Sequence, residues 1–148
     1  MRPLTAPTRD TAVPARLSDP VVQAFLLLRV GFTLAPILFG LDKFVEVSAD
    51  WSSYLWSGAA SALPGSADQI MLAVGAIEIA AGILVAVRPR LGGYVVAAWL
   101  AGIIVNLLIV GGYGDIALRD FGLLLGALTL ARLASADLRP RPESARGR

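Results

Sequence analysis

Four apolar stretches, covering residues 21–45, 69–88, 91–110 and 115–133, limit what this chain can become. A helix rises about 1.5 Å per residue, so about 20 apolar residues cross a hydrocarbon layer of about 30 Å, and each stretch approaches or exceeds that length. In lipid a spanning segment must satisfy its backbone groups internally, which leaves helices or a closed barrel. Unbroken apolar runs of this length exclude the barrel's alternating pattern. The expected fold is therefore all-α, an integral membrane bundle of four transmembrane helices over residues 21–134. Composition agrees: of 148 residues, 56% are hydrophobic and 16% charged, with a mean hydropathy of +0.69. The first twenty residues hold four prolines and five charges without an apolar period, and read as a disordered cytoplasmic arm. Residues 135–148 form a basic cytoplasmic tail.

The connections carry their own signals. Arg88-Pro89-Arg90 separates the second and third stretches with a helix breaker between two charges. Gly111-Gly112-Tyr113-Gly114 precedes the fourth, where Asp115 is placed as its N-cap. The longer connection, about Glu46 to Asp68, contains Asp50-Trp51-Ser52-Ser53-Tyr54-Leu55-Trp56 and predicts a short interfacial helix with Trp51, Tyr54 and Trp56 at headgroup level. Basic residues distribute unevenly. Arg2, Arg9, Arg16, Arg88, Arg90, Arg132, Arg139, Arg141, Arg146 and Arg148 fall on one side, while Lys43 and Arg119 face six acids (Asp42, Glu46, Asp50, Asp68, Asp115, Asp120) on the other. The excess of arginine marks the cytoplasmic side, so both termini are expected there, in a bacterial inner membrane. Arginines that flank apolar spans serve topology, and nucleic acid is not an expected partner despite the net charge of +2.

The chain has neither cysteine nor histidine. Disulfides, iron–sulfur ligation, Cys/His metal sites, axial-histidine haem and a histidine base are thereby excluded, and no metal ligand set is expected. What remains is a small set of polar residues in apolar surroundings, where an isolated charge costs about 2.5–3.5 kcal/mol even on lenient scales. Glu78 lies mid-span, where it either pairs with Lys43 or Arg119 or is protonated. Asn106, Asp42, Lys43, Arg119 and Asp120 share the outer end. Arg29 is alone in the inner half, as a buried ligand or a side chain snorkelling to the headgroups. Spacing puts these residues on small-residue stripes: Gly75, Glu78 and Gly82; Ala98, Gly102 and Asn106; Arg119 above Gly122 and Gly126; and a seam of Arg29, Thr33, Pro36, Gly40 and Lys43. All four are expected to point inward on one outward-facing pocket. Several charges also read as interfacial helix-end residues, with i,i+4 spacing for Asp115 and Arg119 and i,i+3 for Lys43 and Glu46. Trp99, near mid-span, reads as packing.

The segments LLLRVGFTLAPILFGLDKF, GAIEIAAGILVAVRPRLGGYVVAAW and DIALRDFGLLLGALTLARL resemble the DoxX family of small four-helix membrane proteins, over about Phe25 to Leu133. The marks are Arg29, the Gly40–Phe44 exit, Glu78 with Gly82, and Asp120. Members are named for a subunit of an archaeal thiosulfate:quinone oxidoreductase, so the resemblance implies the membrane subunit of a quinone-linked redox complex with a redox partner protein. No covalently bound cofactor is implied, and a quinone is the implied ligand. In that reading Glu78, Asp42 and Asp120 are the proton-exchanging, catalytic carboxylates. Lys43, Arg119, Asn106, Arg29, Trp51 and Tyr54 bind the ligand. Phe39 departs from relatives that carry a polar residue there. Two other classes fit the residues: a non-catalytic membrane anchor or assembly factor, and a small-solute carrier working as a homo-oligomer, for which broken helices or inverted repeats are missing.

Overall fold

The structure, a computed structural model, describes residues 19–45 and 50–136. The arm, Glu46 and most of the tail lie outside the described residues. The described chain is helical throughout, with no strand: α1 (Pro20–Val45), a 3-10 turn (Trp51–Tyr54), α2 (Ser57–Ala62), α3 (Ala67–Val87), α4 (Pro89–Val110) and α5 (Gly114–Leu133). α1, α3 and α4 are long and apolar enough to cross a membrane. α5 has 20 residues but carries Asp115, Arg119, Asp120 and Arg132.

Local chemistry sets the helix ends. Asp19 accepts a hydrogen bond from the Val21 amide at 2.8 Å, and Pro20 follows as a first helical residue that needs no donor. Ser66 caps α3 through a reciprocal box: its Oγ accepts from the Gln69 amide, while Gln69 Oε1 accepts from the Ser66 amide at 3.0 Å. Arg88 closes α3 and Pro89 opens α4, so the two helices share a one-residue joint. Gly111 and Gly112, both at φ +80°, end α4 in a conformation only glycine adopts without strain. The N-cap of α5 is Tyr113, with no side-chain cap bond, and Asp115 sits inside the first turn. Asp115 is therefore not the cap that the spacing suggested; beginning one residue earlier, the helix gives it the role of an acid near the positive end of the dipole.

α1 packs antiparallel along α3, and α4 along α5. Glycine makes the first contact possible. A Cβ on Gly40 would lie 2.6 Å from the Gly75 carbonyl oxygen, and one on Gly82 would lie 2.7 Å from that of Thr33. The Arg29–Lys43 seam thus faces α3, as its spacing required. Phe32, Ala81, Val85, Val96, Ala97, Ala127 and Leu130 fill the centre, and Gly126 meets the Phe32 ring. The α4 stripe does not face inward as expected, and the α5 stripe does so only at Gly126. Ala98 and Gly102 are exposed, and Gly122 is open, because α4 and α5 meet through Gly93, Ala127 and Ala131 instead. The outside is apolar: Leu27, Leu118, Val87 and Leu108 are each more than 60% exposed. A water-soluble monomer does not display such a surface, whereas a bilayer solvates it.

Gly40→Ala should therefore lower thermal stability in detergent micelles by about 1–3 kcal/mol, through overpacking against Gly75. Gly102→Ala, which meets nothing within 4 Å, should leave the melting temperature unchanged or raise it. A neutral Gly40→Ala would contradict the helix contact.

Candidate functional site: a covered ion pair

The α1–α3 register brings Lys43 to Glu78. A Cβ on Gly75 would lie 3.1 Å from the Lys43 Cβ, so Lys43 stands beside Gly75 and Glu78 lies about one helical turn further along α3. Side chains lean toward the N-terminus of their own helix, and in antiparallel helices this turns Lys43 and Glu78 toward each other. Lys43 Nζ donates to Glu78 Oε2 at 2.7 Å, with side-chain exposures of 5% and 10%. Of the two cations that spacing offered to Glu78, Lys43 is the partner.

The 3-10 turn covers this pair. The Trp51 ring lies over the Lys43 ammonium, 3.9 Å from Nζ to the ring centroid, so the cation is held by a carboxylate and a π face. Trp51 Nε1 donates to Asp42 Oδ2 at 2.8 Å, which ties the cover to the residue preceding Lys43. Asp50 caps the turn, accepting from the Ser52 amide and hydroxyl. Around Trp51 the aromatics form a chain: Phe39 meets it edge-on at 6.3 Å, Tyr54 lies 5.9 Å away, and Tyr113 is 4.8 Å beyond Tyr54. Asn106 latches the turn's far side. Its Nδ2 donates to the Tyr54 carbonyl at 2.6 Å, and its Oδ1 accepts from the Trp56 amide at 3.1 Å. Asn106 thus binds the connecting loop, and its stripe partners Ala98 and Gly102 face outward.

The cluster therefore unites Asp42, Lys43, Glu78, Trp51, Tyr54 and Asn106. Two candidate pairs stand apart from it. Arg119 Nε meets its own neighbour, buried Asp120, at 3.4 Å, while the arginine side chain is 64% exposed. Arg29 donates to the carbonyl of Ala86 in the last turn of α3, where a cation complements the helix dipole. It lies fourteen residues before Lys43 on α1, about 21 Å away along the axis. Arg29 is thus a helix-end contact removed from the cluster. The i,i+3 partner proposed for Lys43, Glu46, lies outside the described residues. Sequence reasoning missed Phe39 and Tyr113 as members of the aromatic chain. The signal was the tyrosine within the Gly-rich break, which brings the loop after α4 against the loop before α3. It also missed that Trp99, read as packing, buries an indole N–H without a hydrogen-bond partner among the described residues.

Chemically the cluster offers an ammonium, two carboxylates and aromatic faces at one end of an apolar bundle. Among the described residues no three His, Cys, Asp or Glu side chains gather as a metal site. Comparison with family models, curated proteins and solved structures finds no match to this chain.

Lys43→Met leaves Glu78 buried without its cation and should cost about 3–5 kcal/mol of stability, whereas the double variant Lys43→Met/Glu78→Leu should recover most of that loss. Equal melting temperatures for the single variant and the wild type would refute the ion pair. Asn106→Ala removes both latch bonds; the expected result is greater acrylamide quenching of tryptophan fluorescence with unchanged helix content by circular dichroism.

Proposed function

We propose that this chain is a DoxX-like integral membrane protein of four spans, with both termini cytoplasmic in a bacterial inner membrane, serving as the membrane subunit of a quinone-linked redox complex. α5 supplies the fourth span: its 20 residues measure about 30 Å, and its charges fall in its first third, at Asp115, Arg119 and Asp120, and in its last turn, at Arg132. An even number of spans leaves Arg88, Arg90 and Arg132 together at one end of the bundle and Asp42, Asp50, Asp68 and Asp115 at the other, the asymmetry that orients membrane proteins.

The observation that carries the redox reading is the covered Lys43–Glu78 pair beside Asp42. A flat carbonyl-bearing ring needs an aromatic face, a cation toward its oxygen and a carboxylate to exchange a proton when it is reduced. Trp51 and Tyr54, Lys43, and Glu78 with Asp42 supply these three. Displacing the Trp51 turn would expose Lys43 for a carbonyl oxygen and leave the Glu78 carboxylate to take up a proton from the adjoining water and pass it to the ring as electrons arrive from the partner protein. Electrons must come from a partner protein, because the chain has no cysteine or histidine to hold a redox centre. Asp120 and Arg119 neutralise one another on α5 and are assigned no step.

One observation favours the second reading, a non-catalytic anchor or assembly factor: Lys43 and Glu78 satisfy each other and Trp51 seals them, as a structural staple would. Glu78→Gln separates the two. In membranes of the native host, quinone-linked turnover should fall at least tenfold with normal expression and helix content. Unaltered turnover would assign the pair to structure. Lys43→Gln/Glu78→Gln, which carries no uncompensated charge, serves as the control for folding.

A further inference from the structure

At the end of the bundle opposite the covered ion pair, Arg88 and Arg90 lie on the tight joint between α3 and α4. With Pro89 between them, both guanidiniums are fixed to one short connection. They line an open cleft of about 460 Å³, with Leu91, Tyr94 and Ala134 as its other walls. The ion pairs among the described residues are Lys43–Glu78 and Arg119–Asp120, so Arg88 and Arg90 have no carboxylate partner there. Asp19, the carboxylate described at this end, is engaged by the Val21 amide. Arg132 lies in the last turn of α5, at the same end of the bundle. The other lining side chains expose apolar surface: Leu91 is 50% exposed and Tyr94 40%. Charge above, a phenol at the boundary and apolar wall below match the layers of a lipid at the edge of a bilayer.

We propose that this cleft binds an anionic phospholipid, its phosphodiester held between Arg88 and Arg90 and its acyl chains lying along Leu91 and the Tyr94 ring. Arginine suits the phosphate, because its planar fork pairs with two oxygens at once. The apolar wall selects lipid over a free anion, to which Leu91 and the face of the Tyr94 ring contribute nothing. The site is independent of the redox reading and stands whether or not Glu78 carries a proton.

The test is native mass spectrometry of the full chain, released from micelles containing phosphatidylglycerol and phosphatidylcholine with the same acyl chains. The wild type should retain phosphatidylglycerol preferentially. Arg88→Gln/Arg90→Gln should weaken that preference by about tenfold or more. Arg139→Gln/Arg141→Gln, which removes the same charge from the tail, should not. Equal retention by the cleft variant and the wild type would overturn the proposal, as would equal loss in both double variants, the mark of unspecific charge attraction. Displacement of the lipid by millimolar inorganic phosphate would overturn it in favour of a free-anion site. Helix content by circular dichroism establishes that each variant is folded.

Discussion

The close approach of α1 to α3 at Gly40 and Gly75 is the contact on which the rest of the bundle depends. Lipid tails are as apolar as leucine, so hydrophobic burial gives two helices in a bilayer little reason to associate. What holds them is van der Waals contact at short range, and backbones approach only where a Cβ is absent. Once Gly40 faces Gly75, the antiparallel register of both helices is set along their whole length. Lys43 then reaches Glu78, Thr33 meets Gly82, and Arg29 reaches the Ala86 carbonyl at the far end. A slip of one residue would turn Lys43 off its partner by about 100° around the helix, exposing a charge to hydrocarbon. The ion pair therefore penalises every register but one, while the glycines make that register compact.

The three apolar spans α1, α3 and α4 and the α1 seam were legible in the sequence because bilayer thickness translates directly into run length, and a step of three and four residues translates directly into a face. Pairing was only half legible. Glu78 required a cation, but choosing Lys43 over Arg119 depended on which helices are neighbours, a tertiary fact. The same gap explains the α4 stripe that failed and the α5 stripe that held only at Gly126. Ala98, Gly102 and Asn106 do share a helix face, but α4 turns the opposite face, with Gly92, Gly93, Val96 and Ala97, toward the bundle. A small-residue stripe identifies a face that permits close approach and does not say that a neighbour takes it. Asn106 was singled out for polarity in an apolar stretch, and its partners proved to be the backbone of the loop, whose path no periodicity encodes. The aromatic chain was invisible for the same reason, since Phe39, Trp51, Tyr54 and Tyr113 belong to three separate segments.

The two ends of the bundle solve opposite problems with the same joint chemistry. Between α3 and α4 the connection is a single residue, and its arginines are left open to the surroundings. Between α1 and α3 the chain spends about twenty residues, of which the Trp51–Tyr54 turn covers the ion pair. Asp50, Asp42 and Asn106 each hold this loop by a different bond, from its own turn, from α1 and from α4. A loop tied to two helices by polar bonds, with edge-on and tilted rings around its turn, is a cover with a defined closed position. Each anchor is a hydrogen bond of modest net strength, so the cover is also the part of this end that opens at the lowest energy.

The composition of that end argues that it does more than fasten helices. A buried salt bridge is weak evidence for stability, because well-packed apolar residues of similar volume often hold as well or better. α1 and α3 already have a glycine contact, and nothing in their packing calls for an ion pair. The α4–α5 interface shows the cheaper solution, with Gly93, Ala127, Leu130 and Ala131 and no charge at the contact. Placing Lys43 and Glu78 where that solution was available costs desolvation of both groups. Surrounding them with Trp51 and setting Asp42 one bond away compounds the polar content at a single point. Such an arrangement earns its place through charge itself, by fixing register, by exchanging a proton, or by both. Register alone would be served by the pair without the second carboxylate, Asp42, and the Trp51 cover. On the proposed redox reading the ion pair supplies the cation and the carboxylate, and Asp42 ties to them the indole that covers Lys43.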